Sequence, residues 1–144
     1  LDWRGAFGLG KHTFVGISSF ATVLTDNDQS IRVSELGGFL NLSGYQKDAL
    51  IGAHKAFAAA VYQYDLGSGE TTGLPLYLGT SVEAGNVWAL QDTVALDELV
   101  TSGSIYLGTD TSFGPAVIGL GFSKSFASYL EDEARVFFSI GKNW

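Results

Sequence analysis

Residues 36–45 read Leu36-Gly37-Gly38-Phe39-Leu40-Asn41-Leu42-Ser43-Gly44-Tyr45, and the rest of the chain is organised around them. The stretch begins as a strand, carries two adjacent glycines, and breaks into the polar-aromatic Leu42-Ser43-Gly44-Tyr45. Paired glycines weaken a strand interior and mark a bulge or a close backbone approach. The decade therefore reads as the end of a strand feeding a specialised loop.

Working outward, the chain reads as eight strands within one domain, residues 1–144. They cover residues 2–9, 13–24, 30–40, 50–66, 74–90, 99–109, 116–124 and 134–144. Turn formers separate them at 10–12, 25–29, 67–73 and 111–115. Residues 49–60 are rich in alanine, but Gly52 and the Tyr62/Tyr64 alternation favour a strand over a helix. Alternation is clearest late in the chain. Val136, Phe138 and Ile140 share one face, against Phe137, Ser139 and Gly141 on the other. Ala116, Ile118, Leu120 and Phe122 oppose Val117, Gly119, Gly121 and Ser123, and Leu74, Leu76, Leu78 and Val82 oppose Tyr77, Gly79, Ser81 and Glu83. Segments of about ten residues with one apolar face and one small or polar face characterise transmembrane β-barrels. A soluble ligand-binding barrel also alternates, but it would need Leu74, Leu76, Leu78, Ile118, Leu120 and Phe122 to face inward.

Composition favours the membrane reading. Charged residues make up 16% of the chain and hydrophobic residues 46%, against about a quarter charged in a typical soluble domain. No apolar run approaches the ~20 residues of a membrane helix, so any membrane is crossed by strands. A net charge of −7 argues against nucleic acid as a partner. Without cysteine there is neither a disulfide nor a thiolate metal site. The absence of Met and of a leader implies a mature product, a fragment or an engineered chain. Trp3, Tyr62, Tyr64, Trp88, Tyr129 and Trp144 fall near strand ends, where interfacial girdles lie. With Trp144 at the periplasmic face, 25–29, 67–73 and 110–115 become periplasmic turns. The longer 41–49, 91–98 and 125–133 become external, and 10–12 is an exception to this asymmetry.

Several stretches resemble the C-terminal barrel half of the BamA-type outer-membrane superfamily, and within it the patatin-like phospholipase autotransporters of type V secretion. Leu36-Gly37-Gly38-Phe39 with Leu42-Ser43-Gly44-Tyr45 is similar to the region leading into that family's lumen-inserted loop. Tyr77-Leu78-Gly79-Thr80-Ser81-Val82-Glu83-Ala84-Gly85-Asn86-Val87-Trp88 resembles its YxGxSxExGNxW strand. Leu107-Gly108-Thr109-Asp110-Thr111 followed by Gly114-Pro115 resembles its GxDTxxGP turn. Residues 138–144 resemble its terminal assembly signal. Four motifs in order cover most of the chain.

The resemblance implies an integral protein of the bacterial outer membrane that serves in polypeptide insertion or export. Its implied partners are outer-membrane lipid and the barrel assembly machinery. Leu42, Ser43, Gly44 and Tyr45 would form the lumen loop, Glu83 and Asp110 its polar surroundings, and Phe138, Ile140, Gly141 and Trp144 the assembly signal. Most of the superfamily has Arg where Ser43 stands, paired with an acid inside the barrel, and that ion pair has no counterpart in this sequence. The family barrel has sixteen strands, so eight per chain implies a half-barrel completed by a second copy. A fragment of a longer chain and a closed eight-stranded monomer acting as an anchor or diffusion pore are the alternatives. A Gly- and Ser-rich inner face would leave voids in a tight eight-stranded barrel and leave no room for a loop, which favours the wide form.

Catalytic chemistry is not indicated. The nucleophile motif GxSxG does not occur. His12 and His54 lack a cysteine or a clustered acidic partner. Asp26-Asn27-Asp28 and Glu131-Asp132-Glu133 read as solvated loop charge, and Gly67-Ser68-Gly69 has no helix after it to cradle a phosphate. No cofactor or metal is expected. Adjacent His54 and Lys55 must point to opposite faces, and Lys55 inward is the less costly arrangement.

Overall fold

The computed structural model describes residues 1–22, 33–68, 73–90, 92–124 and 133–141. The strands are β1 (Asp2–Leu9), β2 (His12–Ala21), β3 (Ser34–Leu36), β4 (Leu50–Gly52), β5 (His54–Ser68), β6 (Pro75–Trp88), β7 (Val100–Thr111), β8 (Gly114–Lys124) and β9 (Glu133–Ile140). A 3-10 turn spans Leu96–Glu98. Seven strands form one antiparallel sheet in the order β1-β2-β5-β6-β7-β8-β9, and β3 pairs only with β4. Among the described residues no ladder joins β1 to β9, so the sheet has two free edges.

The chain is all-β and antiparallel, but the expected strand at 30–40 is not a wall strand. Of its described residues, 33–40, Ser34–Leu36 form a strand, and this pairs with Leu50–Gly52. The reason is local. Gly37 and Gly38 adopt φ of 130° and 105°, which side-chain-bearing residues rarely tolerate, and the chain turns off the strand there. Leu40, Leu42 and Asp48 follow at φ of 54°, 72° and 56°, each costing roughly 1 kcal/mol or more. β2 therefore pairs directly with β5, from His12↔Tyr64 to Ala21↔Lys55. The described wall has seven strands where eight were expected.

This change of count also alters the loop pattern. Because β2 and β5 are neighbours, the tight turn at 10–12 lies at the same end of the sheet as the β5–β6 and β7–β8 connections. The three longer connections, including 22–53, lie at the other end. The asymmetry expected of the loops then has no exception. Residues 25–29 lie outside the described residues. Thr22, the last described residue before them, sits at the long-loop end, its Oγ1 2.8 Å from His54 Nδ1.

The two faces differ as the alternation requires. One carries Phe7, Phe14, Val82, Ile105, Leu107, Ile118, Leu120, Phe122, Val136, Phe138 and Ile140, all exposed. The other carries Val61, Ser81, Glu83, Val100, Ser102, Ser104, Tyr106, Val117 and Ser123, all buried. Leu78, Ile118, Leu120 and Phe122, which a soluble barrel needs inside, belong to the exposed set. Lys55 is on the buried side, its Nζ donating to the Glu35 carbonyl at 3.2 Å, while His54 bonds Thr22 and the Leu90 carbonyl.

Glycines on the inner face are seats for side chains rather than gaps. A Cβ on Gly79 would lie 2.1 Å from the Tyr106 ring, and one on Gly108 would lie 2.2 Å from the Tyr77 ring. Tyr106 is further fixed by a 2.9 Å bond from Gln63 Nε2 and an edge-on contact with Phe39 at 4.8 Å between centroids. These glycines are therefore occupied and leave no void of their own, so they do not by themselves argue for a wide barrel.

Candidate functional site

The centre of the molecule is the segment between β3 and β4, residues 37–49, which folds against the inner face. It holds itself in shape by short-range bonds. Gly37 N–H donates to Asn41 O at 2.7 Å, Asn41 N–H to Gly38 O at 3.0 Å, and Tyr45 N–H to Leu42 O at 2.9 Å. Leu36, Leu42 and Tyr45 bury themselves against Phe57, Ala59 and Val100, with Ile17, Leu50 and Val87 packed around. Phe39 and Leu40 pack on Val61, Tyr106 and Val117. Both described hydrophobic clusters thus join the inserted segment to the wall, and burial of apolar surface holds it there.

Glu83 fastens the tip. Its side chain, 1% exposed, accepts the Ser43 backbone N–H at Oε2 (2.6 Å) and the Ser43 hydroxyl at Oε1 (2.6 Å). Ser81 Oγ donates to the same Oε1 and shares a 2.7 Å bond with Ser104 Oγ. Ser43 Oγ also accepts the Leu40 N–H at 3.0 Å. Gly44 N–H donates to Ser102 Oγ at 2.7 Å, and Ser102 in turn donates to the Phe122 carbonyl at 3.0 Å. Burying a carboxylic group without partners is costly, and here neutral donors from the loop surround it. Glu83, expected among the polar surroundings of the loop, binds Ser43 directly.

The backbones touch at one point. A Cβ on Gly121 would fall 2.0 Å from the Ser43 carbonyl oxygen, and one on Gly44 would fall 2.3 Å from the Phe122 carbonyl carbon. Only a glycine on each side allows the loop to lie flat on β8.

Of the residues singled out from sequence, Leu42, Ser43, Gly44, Tyr45 and Glu83 come together here. Asp110 does not. It shares the inner face but lies exposed at the short-turn end, in a cleft with Gln63, Asp65 and Tyr77. It is eight residues along β7 from Ser102, about 27 Å away at ~3.4 Å per residue. Phe138 and Ile140 project outward from β9 and are exposed. Gly141 ends the strand at φ 74° with its N–H on the Pro115 carbonyl at 2.9 Å. Asp26, Asn27, Asp28, Tyr129, Glu131, Asp132 and Trp144 lie outside the described residues.

Sequence reading missed Ser81, Ser102 and Ser104 as bonding partners of the loop and its acid. The signal was present: Ser81 and Glu83 alternate on one face, Ser102 and Ser104 on the next strand, and the register places Glu83 beside Ser102 and Ser81 beside Ser104. It also missed the outer-face contact in which Trp88 Nε1 donates to Glu98 Oε2 at 2.8 Å. Among the described residues no three His, Asp or Glu side chains gather as a metal site. No protein-family model, curated protein or solved structure matches the chain.

Proposed function

We propose that this chain is the wall of an integral outer-membrane β-barrel, resembling the translocator of patatin-like autotransporters, which anchors, inserts or exports a polypeptide. The observation that carries the reading is the inverted polarity of the sheet. Its open face is apolar, while the polar Glu83, Ser81, Ser102 and Ser104 lie under an inserted loop. Monomeric soluble proteins rarely expose contiguous apolar patches beyond a few hundred Å².

The height of the apolar band agrees. An aromatic group of His12, Phe14, Tyr62 and Tyr64 clusters at the short-turn end. Trp3, 59% exposed, lies at the other end, opposite Ser18; Trp88 lies at that end too, opposite His54, but it is buried with its Nε1 on Glu98 and marks no exposed belt. From His54 to Tyr64 is about 34 Å along the strand at ~3.4 Å per residue. A tilt of ~40° reduces that to about 26 Å, close to the ~25 Å band of outer-membrane barrels. In this setting the partners are outer-membrane lipid, the barrel assembly machinery acting on the terminal strand, and a second copy that completes the wall.

Val82→Arg tests the membrane assignment. Val82 is 71% exposed and sits between Ala60 and Gly103 in the middle of the band. In phospholipid vesicles the substitution is expected to cost about 2–4 kcal/mol of folding stability, measured by denaturant titration. A cost within about 0.5 kcal/mol, normal for a solvated surface position, would refute the assignment.

A second reading has its own support. Both edge strands line one cavity with the inserted loop, which favours a narrow, plugged barrel serving as a passive anchor. The mass of the detergent-folded protein separates the two. Twice 15.3 kDa is expected for two joined walls, whereas a single-chain mass favours the anchor.

A further inference from the structure

The cavity between the edge strands and the inserted loop measures about 690 Å³, within the ~300–1,000 Å³ of small-molecule sites. Its charge is at odds with the rest of the protein. The chain carries eight basic residues and a net charge of −7, yet Arg4, Lys47, Lys55 and Arg135 all line this cavity, against only Asp2 and Asp48. Basic residues thus outnumber acidic ones by two in the lining. Asp2 accepts the Ser19 hydroxyl, and Asp48 lies 3.8 Å from Lys47. β1 and β9 place Arg4 and Arg135 on the two edges of the sheet, with Lys55 entering from β5.

We propose that this cavity binds a phosphate-bearing anion. Guanidinium groups from two strands that line one cavity suit bidentate contact with phosphate oxygens, and lysine adds point charge. The volume fits a phosphorylated head group or small solute. The site rests on the arrangement within one chain, in which both edge strands line one cavity, and not on a role in export. Two sources share this chemistry: the head group of a bilayer lipid reaching in between the edge strands, and a free phosphorylated solute.

The test uses the folded full chain. Pyrophosphate is titrated by calorimetry, and phosphatidylglycerol retention is counted by native mass spectrometry from micelles that also contain phosphatidylcholine. Binding of either probe, weakened about tenfold or more by both Arg4→Gln and Arg135→Gln and unchanged by Lys11→Gln, supports the proposal. Pyrophosphate binding without selective lipid retention identifies a soluble ligand, and the reverse identifies a lipid. Binding of neither probe to the folded wild-type chain, or binding indifferent to both arginines, overturns it. Failure of Val82→Arg to destabilise the protein in vesicles would remove the membrane reading but leave the pyrophosphate result standing.

Discussion

Gly121→Ala is expected to drive the inserted loop off the wall. The new methyl would lie 2.0 Å from the Ser43 carbonyl oxygen and 2.5 Å from its carbon. Both are backbone atoms, so no side-chain rotation relieves the clash. The loop must lift, and lifting it exposes Leu36, Leu42 and Tyr45 and breaks the bonds to Glu83 and Ser102. Losses of this kind amount to about 3–5 kcal/mol. The checks are a lowered unfolding midpoint and new protease cleavage within residues 37–48. Gly8→Ala is the control: it lies on an extended strand and its Cβ would meet nothing closer than 3.9 Å, so it should leave both readouts unchanged. A Gly121→Ala protein with wild-type stability and protection would show that the loop is not seated on β8.

The second large effect is at Glu83. Glu83→Ala strands three buried donors, the Ser43 N–H, the Ser43 hydroxyl and the Ser81 hydroxyl. Each unsatisfied group costs about 1–3 kcal/mol. Ser81 retains Ser104, so the expected total is about 3–5 kcal/mol. Ser43→Ala should cost about 1–2 kcal/mol, because the backbone N–H still reaches the carboxyl group. Combining the two should cost less than their sum by ~1 kcal/mol or more, the coupling of a pair in direct contact. Denaturant titrations of the four proteins measure this. Strict additivity would mean that Glu83 and Ser43 do not hold each other.

Much of the sheet was legible because alternation is a local property. The pattern Tyr77, Gly79, Ser81, Glu83 against Leu78, Val82 assigns faces without any long-range information. The error at 30–40 has the same origin. Val33, Leu36, Phe39 and Leu40 look like more strand, and only the positive φ angles at 37, 38, 40 and 42 show that the apolar residues belong to a plug. Ser43 and Glu83 are 40 residues apart, and their contact depends on register, which no local window contains. Gly121 read as a small inner-face residue, and its role as a contact point for Ser43 exists only once the loop is docked.

The seven described strands of the wall also have a directional consequence. Their six antiparallel pairings leave β1 and β9 running the same way. If the sheet closed on itself, or joined a copy related by a twofold axis along the barrel, each junction would set like-directed strands side by side. Such pairs bond through slanted, slightly weaker ladders. An all-antiparallel circuit would require one further strand per copy beyond the seven. The parity of the wall therefore marks where it would part most readily: along the line where β1 and β9 face their neighbours, beside the basic cavity.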